Sequence, residues 1–430
     1  MAKVLANEQL VSSMLQDNSV LIEVGGSIRR IKLEDFMEAI NQGDEMMLRQ
    51  VAWGVPLKET SNTYWGRVGN LQAWEEYKSM CGRYLVTDDG RAAKLDPNDS
   101  TIYADGTPLD ETKGNVMHIS PRLYYRVQED SITGIPTLWM SHIPIGGYYI
   151  GSANNGMYNA IGAYKAYRSG SKLVSRSGFA PTGSRTITQN WTDAQGNGAD
   201  WGLQTYQHRQ LMTMFLLGEF GDSNAQKVVG GGVGGTTSAS LWEETSGLLT
   251  GATTMLGDNF GKIPLTLSAG TDTCRVNLMG IEDPYNWQWE QVQNAYFGNI
   301  ENAQQDGTEM FIYEGNRMPT TAELETKPLG KYRQTTRPTA NMYPTKLMLG
   351  EHFDIIPKQT GGGSSTHWAT YYYGDDAGQL FLVGGNSDTG ATSSLVFVGS
   401  SYAFSYSSPS RGARLAYFGK LTFVNGSQIV

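Results

Sequence analysis

From about residue 71 to the C-terminus, Gly, Asn and Asp residues divide the chain into short apolar runs. Runs of this length between turn-forming residues predict strands joined by turns. The composition agrees, because 52 Gly and 23 Tyr residues stand beside only 17% charged residues, so the usual helix formers are scarce. We therefore expect an α+β fold with short strands, long ordered loops and few helices.

The first 70 residues differ from the rest, because their charges are dense and their apolar residues recur at helical spacing. Residues 20–24 predict a short strand. The apolar face of a short helix is marked by Leu33, Phe36, Met37 and Ile40. Such a face needs a partner, either the main body or further copies of the chain. We expect residues 1–70 to be an attachment or oligomerisation module that helps to build a homotrimer.

Beyond residue 70 no Pro/Ser-rich linker is long enough to separate further domains, so we expect residues 71–430 to form one large domain. Residues 123–127 and 137–140 predict paired strands around a turn at 130–136. The clearest helix runs from Tyr206 to Phe220, where an apolar stripe ends at Gly221. That stripe is typical of core packing.

Charge and hydropathy exclude two classes of partner. The net charge of −9 provides no basic surface for nucleic acid. No apolar run is long enough to span a bilayer, and the N-terminal residues lack the apolar core of a signal peptide. We expect no nucleic-acid partner, no membrane insertion, and synthesis in a host cytoplasm without a standard export signal.

The sequence also lacks the common catalytic and cofactor motifs. The glycine cluster at 229–235 has no GK[ST] ending of a phosphate-binding loop. The five histidines show no HExxH or HxH spacing, and no GxSxG elbow occurs. Cys81 and Cys274 are far apart in sequence, which leaves a disulfide between them open. We expect no cofactor, no metal and no catalytic residue.

Two segments are similar to a known family. Residues 280–290, GIEDPYNWQWE, resemble the GxExxxGNxWEW stretch of formylglycine-generating-enzyme-like C-type-lectin folds, although the second Gly of that pattern is missing. This group includes variable proteins of diversity-generating retroelements and related phage tail tip proteins. Residues 410–419, SRGARLAYFG, resemble the GxRLA closing strand of the same fold. With residues 210–226, which resemble the family's helix ending in EFGxxNxQ, the match covers residues 116–420.

The resemblance implies a C-type-lectin-like domain with a ligand-binding face. It implies that Trp287 and Trp289 are framework residues beneath this face, and that Glu282 is a buried hydrogen-bonding partner. The sequence lacks the close cysteine pair of oxygen-dependent formylglycine formation, so that chemistry is not transferred. The EPN, QPD and WND signatures of calcium-dependent sugar binding are missing too.

The C-terminal segment has an unusual composition. Residues 359–419 contain no Lys, Glu or Met, although these types supply 15, 21 and 17 residues of the chain. About 7 or 8 would be expected in a segment of this length. One explanation is a Gly/Ser-rich β region, in which Glu and Lys are naturally scarce. The other follows from the resemblance, since retroelement diversification yields NNY codons, which cannot encode Lys, Glu or Met.

Tyr, Ser, Gly, Asn and Asp remain in this segment, and they are typical of adaptable binding surfaces. Tyrosine gives a large contact area for few lost rotamers, while Ser, Gly and Asn give adaptable hydrogen bonds. Matching the family's frame to residues 366–411 predicts twelve ligand-facing residues: Tyr371, Tyr372, Asp375, Asp376, Asp388, Thr389, Thr392, Ser401, Tyr402, Tyr406, Ser408 and Ser410. Apolar residues with polar neighbours in this segment are predicted to be buried: Leu380, Leu382, Val383, Leu395, Phe397, Leu415 and Ala416.

The sequence favours a non-enzymatic phage or prophage receptor-binding protein of the virion tail, which displays a variable face to a host cell-surface protein or glycan. Two alternatives remain open. One is an enzyme of the formylglycine-generating type, which predicts a deep pocket with convergent titratable groups. The other is a structural virion protein whose C-terminal face is covered by a neighbour.

Overall fold

Strands dominate the molecule, as the scarcity of charged helix formers predicts. A computed structural model describes residues 19–24, 27–58, 62–151, 156–234, 241–242, 246–265, 273–297, 309–315, 317–320, 322–323, 332–336, 343–349, 355–363, 368, 372–373, 380–399 and 402–429. Over these residues the fold is mixed α+β. None of the described helices is long and apolar enough to cross a membrane.

The strands of the first half are β1 (Ser19–Val24), β2 (Ser27–Lys32), β3 (Trp53–Pro56), β4 (Val68–Gly69), β5 (Gly82–Val86), β6 (Arg91–Lys94), β7 (Asn115–Pro121), β8 (Leu123–Glu129), β9 (Pro136–Ser141), β10 (Tyr148–Ile150), β11 (Tyr158–Gly162), β12 (Tyr167–Ser169), β13 (Lys172–Val174) and β14 (Trp201–Leu203). Those of the second half are β15 (Gly261–Leu265), β16 (Thr273–Leu278), β17 (Ile281–Glu282), β18 (Trp289–Phe297), β19 (Glu309–Tyr313), β20 (Tyr332–Thr336), β21 (Tyr343–Leu349), β22 (Ile355–Gly362), β23 (Tyr372–Tyr373), β24 (Leu380–Val383), β25 (Val398–Gly399), β26 (Arg411–Gly412), β27 (Leu415–Tyr417) and β28 (Thr422–Val424). The α-helices are α1 (Leu33–Asn41), α2 (Glu45–Val51), α3 (Leu71–Met80), α4 (Ile187–Gln195), α5 (Tyr206–Phe220) and α6 (Ala225–Val228).

Three larger sheets organise these strands. One has the order β10-β8-β9-β3-β4, and a second has the order β14-β27-β11-β7-β5-β6-β28. The third has the order β20-β19-β18-β24-β25-β23, and β26 adds to it by pairing with β18. The predicted pairing of residues 123–127 with 137–140 is confirmed, because β8 and β9 are antiparallel neighbours. Strands β24, β25 and β26 belong to the third sheet, whereas β27 and β28 belong to the second. Residues 410–419, which contain β26 and β27, therefore connect the two sheets.

The N-terminal helices pack onto the body of the same chain. Phe36, Ile40 and Leu48 are buried in one cluster with Trp139 of β9. Phe36 and Ile40 of the predicted apolar face are therefore covered by the body of the same chain. Backbone hydrogen bonds also cross the predicted boundary at residue 70. Strand β3, which precedes this boundary, lies in the first sheet between β4 and β9, and β9 follows the boundary. The strand predicted at 20–24 is present within β1.

Helix α5 lies at the centre of the fold and has the predicted bounds. It begins with a capping box, in which the Thr205 side chain accepts from the His208 backbone and the His208 side chain accepts from the Thr205 backbone. It ends at Gly221, whose left-handed φ of 58° suits a residue without a side chain. Leu211, along with Phe215 and other stripe residues, belongs to the largest buried cluster. The stripe is core, as predicted.

The two cysteines do not form a disulfide. Cys81 and Cys274 are both buried as free thiols. Burial raises the pKa of each thiol, so both are held in the protonated, unreactive form. The fold therefore depends on packing and on polar contacts in its interior.

Candidate ligand-binding surface

The two segments that carry the family resemblance are joined in the interior by Arg414. Its Nη2 lies 2.7 Å from Oε1 of Glu290 and donates to the Glu282 carbonyl at 2.8 Å. Its Nη1 donates to the Gly162 carbonyl at 2.9 Å. Residues 280–290 and 410–419 thus form one buried unit, although more than 100 residues separate them in sequence.

Glu290 is the centre of a cluster that we call the ionic frame, formed by Glu290, Arg414, Lys165 and Arg209. Lys165 Nζ lies 2.7 Å from Glu290 Oε1, and Arg209 Nη1 lies 3.5 Å from Oε2. Gln204 donates a further hydrogen bond of 2.7 Å to Oε2. Burial alone would raise the pKa of Glu290, but Arg414, Lys165 and Arg209 hold it well below its ordinary value. The carboxylate therefore stays charged and fixes these basic groups in place.

The predicted burial of Glu282, Trp287 and Trp289 is confirmed, as is the hydrogen bonding of Glu282. Glu282 is buried and accepts from the backbone N–H groups of Gly251 and Thr253 at 2.9 and 2.8 Å. Trp287 and Trp289 are 1% and 8% exposed. The Arg275 guanidinium lies over the Trp287 ring, 4.2 Å from its centroid. Both tryptophans therefore act as framework residues.

The backbone between residues 279 and 287 is locally strained. Met279, Asp283, Asn286 and Trp287 have φ angles of 51°, 45°, 60° and 65°, in a region that residues with a side chain seldom occupy. The conformation is held by neighbouring loops, since Asn286 N donates to the Gly384 carbonyl at 2.8 Å and Trp287 N donates to Val233 at 3.0 Å. Strain of this kind persists where packing over-determines the backbone, often at a functional site.

The apolar residues predicted as framework are all buried. Each is at most 2% exposed: Leu380, Leu382, Val383, Leu395, Phe397, Leu415 and Ala416. Phe397 packs on Trp289, with ring centroids 4.7 Å apart. The polar residues between them thus stand on a packed layer.

Three of the predicted ligand-facing residues come together in what we call the tyrosine surface: Tyr402, Tyr406 and Ser408, with Arg411 beneath them. The rings of Tyr402 and Tyr406 have centroids 4.4 Å apart. The guanidinium of the buried Arg411 lies 3.9 and 4.5 Å from these centroids. Tyr406 is 39% exposed and Tyr402 is partly exposed. One buried cation therefore orients two aromatic rings at the surface.

Ser410 lies beneath this surface and differs from the prediction in that respect. It is only 7% exposed, and its Oγ lies 3.1 Å from that of Ser408. It also accepts from Arg411 Nη1 at 3.3 Å. Its carbonyl accepts from the Trp289 backbone at 2.9 Å. Ser410 thus joins the tyrosine surface to the framework because its neighbour Arg411 pairs with Trp289 in strand register.

Asp388, Thr389 and Thr392 form a second group on the turn between β24 and β25. Asp388 is exposed, while Thr389 and Thr392 are half-buried. Thr389 Oγ1 donates to the Asn386 carbonyl at 2.6 Å, so this hydroxyl holds the turn. Gln226 of α6 fixes the turn from outside by donating to the Gly390 carbonyl at 2.9 Å. Of this group, Asp388 is the side chain most open to a ligand.

Five predicted residues give no side-chain geometry. Tyr371, Asp375, Asp376 and Ser401 lie outside the described residues. Tyr372 lies in β23, where its backbone pairs with Val398 in parallel register. The structure therefore brings together one part of the predicted set and leaves the other part a prediction.

Sequence reasoning missed a groove of about 240 Å³ beside Ser408. The groove is lined by residues of four separate segments, among them Tyr167, Thr182, Trp242 and Pro409. The buried Gln288 lies behind it and donates through Nε2 to the carbonyls of Pro409 at 3.0 Å and Trp242 at 3.2 Å. No local sequence motif predicts this groove, because it forms only where these four segments come together in the fold.

The described residues show no arrangement typical of a metal centre, since no group of three or more His, Cys, Asp or Glu side chains lies within ligating reach. The outward chemistry of the tyrosine surface consists of aromatic faces and hydroxyl groups, which suits contact with a ligand. In comparisons with known proteins, no protein-family model and no curated protein matched the chain.

Proposed function

We propose that this chain is a phage or prophage receptor-binding protein of the virion tail that displays a variable surface on a C-type-lectin-like scaffold. The observation that carries the proposal is the tyrosine surface, in which Tyr402 and Tyr406 rest on the buried Arg411. Exposed aromatic rings on a fixed support provide contact area at a low entropic cost. The ligand would be a host cell-surface protein or glycan.

The scaffold supports this proposal because buried and outward residues are separated within the C-terminal segment. Leu382 and Phe397 are 1% exposed, whereas Asp388 and Tyr406 are open to solvent. A substitution at an open position leaves the packed layer unchanged. This separation is what diversification of a binding face requires. The absence of Lys, Glu and Met from residues 359–419 agrees with diversification through NNY codons.

A homotrimer would strengthen such binding, because several weak contacts made together raise the apparent affinity. Residues 1–70 would contribute to assembly through surface that the body does not cover. Light scattering of the full chain at micromolar concentration measures this directly, and a monomer would contradict it.

Binding of the labelled protein to intact cells of the bacterial host tests the proposed function. We expect the double variant Tyr402→Ala/Tyr406→Ala to lose about 10-fold or more in affinity, because aromatic anchors dominate interfaces. Tyr64→Ala/Phe423→Ala is the matched control, since these rings are 55% and 44% exposed elsewhere on the molecule. Equal binding by both double variants would contradict the proposal.

Sequences of related isolates provide an independent test. Under diversification, substitutions concentrate in residues 366–411 and spare the ionic frame. Substitutions spread evenly along the chain would contradict it.

A further inference from the structure

A second cavity, of about 450 Å³, lies apart from the tyrosine surface. It opens where β10, the beginning of α5 and the end of β19 meet, beside residues that follow β27. Of the twelve residues predicted to face a ligand, none of the seven with described side chains lines it. Sites of this size, built at the junction of several elements, are typical of small-molecule binding.

Aromatic rings form much of the wall: Tyr148, Tyr149, Tyr313 and Phe418. Tyr149 is 53% exposed at the mouth, and the Arg122 guanidinium lies 4.1 Å from its ring centroid. The His208 ring stacks on Phe418 with centroids 6.0 Å apart and an interplanar angle of 23°. Ring orientation is therefore set by contacts within the protein before any ligand arrives.

Planar amides add hydrogen-bonding groups to the wall. Asn294 donates to Gln207 Oε1 at 2.8 Å and to the Tyr313 carbonyl at 2.9 Å. The Gln207 side-chain oxygen is the acceptor of the bond from Asn294. The amide N–H groups of Gln207 have no partner among the described residues. Asn159 is buried and donates to the Ile150 carbonyl at 3.2 Å. The amides are oriented, and donor capacity remains on the cavity side.

His208 supplies a donor whose position is defined by its tautomer. Its Nδ1 accepts from the Thr205 backbone N–H at 3.1 Å. Burial lowers the pKa of His208 to about 3, so the ring is neutral at neutral pH. A neutral imidazole with an accepting Nδ1 carries its proton on Nε2. His208 lines the cavity at 2% exposure, and Nε2 has no partner among the residues that the structure describes.

Two further capping boxes among the described helices, at Thr186 and at Asn425, use glutamine where α5 uses histidine. Helix α4 uses the same arrangement with Thr186 and Gln189, whose side chain accepts from the Thr186 backbone at 3.0 Å. Glutamine thus performs the capping role by itself, in the usual form of the motif. At the start of α5 the imidazole performs that role and also presents a second nitrogen to the cavity.

We propose that this cavity binds a neutral saccharide of one or two sugar rings. The aromatic faces, which carry partial negative charge, accept the C–H face of a sugar, and the oriented amides and the His208 N–H pair with its hydroxyl groups. The described charges near the cavity are the carboxylate of Glu314 in the lining and the guanidinium of Arg122 against Tyr149. With one charge of each sign, the site has no excess of positive charge to favour an anion such as phosphate. The site is independent of the proposed receptor binding.

Saturation-transfer NMR and calorimetry on the full chain with lactose, maltose, cellobiose and diacetylchitobiose test the proposal, with inorganic phosphate as the anionic control. We expect at least one neutral sugar to bind and phosphate not to bind. His208→Gln keeps the capping box but replaces the imidazole ring, which stacks on Phe418 in the cavity wall, with a flexible amide, so it should retain the unfolding temperature and lose about 10-fold in affinity. Tyr149→Ala should weaken binding similarly, while Tyr64→Ala, a tyrosine 55% exposed elsewhere, should not.

Three results would overturn the proposal. One is that no neutral sugar binds at concentrations on the order of 10 mM. Another is binding that neither His208→Gln nor Tyr149→Ala weakens. The third is loss of sugar binding in Tyr402→Ala/Tyr406→Ala, because that would place the sugar on the tyrosine surface. If cell binding fails while sugar binding persists, the proposed function alone is contradicted.

Discussion

The ionic frame and the tyrosine surface use polar groups in opposite ways. In the frame, the Glu290 carboxylate is fully buried, and it contacts Arg414 and Lys165 at 2.7 Å. In the tyrosine surface, Tyr406 is 39% exposed, and the contacts that hold it run through its ring face to Arg411. The stability of the ionic frame depends on the identity of every charged partner, whereas the position of the exposed tyrosines depends only on Arg411 beneath them.

This difference has a thermodynamic origin. Two charges taken out of water recover their desolvation penalty only when their geometry and remaining hydrogen bonds are complete. A side chain that keeps much of its hydration has less to lose on substitution. A chain that must vary its ligand contacts without losing its fold therefore benefits from placing its charged interactions inside and its exchangeable residues outside.

The largest expected effect is at Arg414, because this residue joins both resemblance segments. Arg414→Met removes the ion pair with Glu290 and the hydrogen bonds to the carbonyls of Gly162 and Glu282. We expect a loss of about 3–5 kcal/mol in the free energy of unfolding. Urea denaturation followed by circular dichroism measures it.

Arg91→Met is the control for this prediction, since Arg91 pairs with Asp89 at the surface at 3.3 Å, with both side chains exposed. An exposed pair is worth about 0–1 kcal/mol. An equal loss in the free energy of unfolding for the two variants would show that the ionic frame contributes no more to stability than an ordinary surface pair.

Much of the framework followed from local pattern. Helix α5 was predicted with its bounds, and the seven apolar residues of the C-terminal segment are buried as expected, because both are encoded by the periodicity of neighbouring residues. The buried role of Glu282 followed from the resemblance. The helix and the buried apolar residues could be predicted because each depends on residues close together in the chain.

The partners of Glu290 could not be predicted in the same way. Lys165 and Arg414 lie in two separate loops and Arg209 lies on α5, and nothing in the sequence distinguishes these cations from exposed ones. Arg411 was not recognised as the support of two tyrosines, and Ser410 was assigned to the surface although it lies below it. Such assignments depend on register between distant strands, where a shift of one residue exchanges inside and outside.

An intermediate effect is expected from pH, because the interior also holds neutral histidines. Burial lowers the pKa of His118 and His208 from 6.5 to about 3. The unfolded chain therefore binds more protons than the folded chain between these values, and stability falls as pH falls through that window. Asp258 acts in the opposite direction, since burial raises its pKa from 3.8 to about 6.

Two histidines outweigh one carboxyl, so we expect the unfolding temperature to decrease between pH 7 and pH 4.5. His208→Gln removes one of the titrating groups and should reduce this decrease, as differential scanning calorimetry at a series of pH values would show. An unfolding temperature that rises towards pH 4.5 would mean that Asp258 dominates the interior.

The smallest effect on stability is expected where the largest effect on binding is proposed. Tyr406→Ser removes one of the two rings that contact the buried Arg411, and cation–π contacts range from about 0.5–1 kcal/mol at exposed sites to about 2 kcal/mol when desolvated. Because the Tyr406 ring is itself partly exposed and Tyr402 remains over Arg411, urea denaturation should place this variant within about 2 kcal/mol of the parent chain. A loss as large as that of Arg414→Met would show that Tyr406 belongs to the framework, and the tyrosine surface could then not vary without cost to the fold.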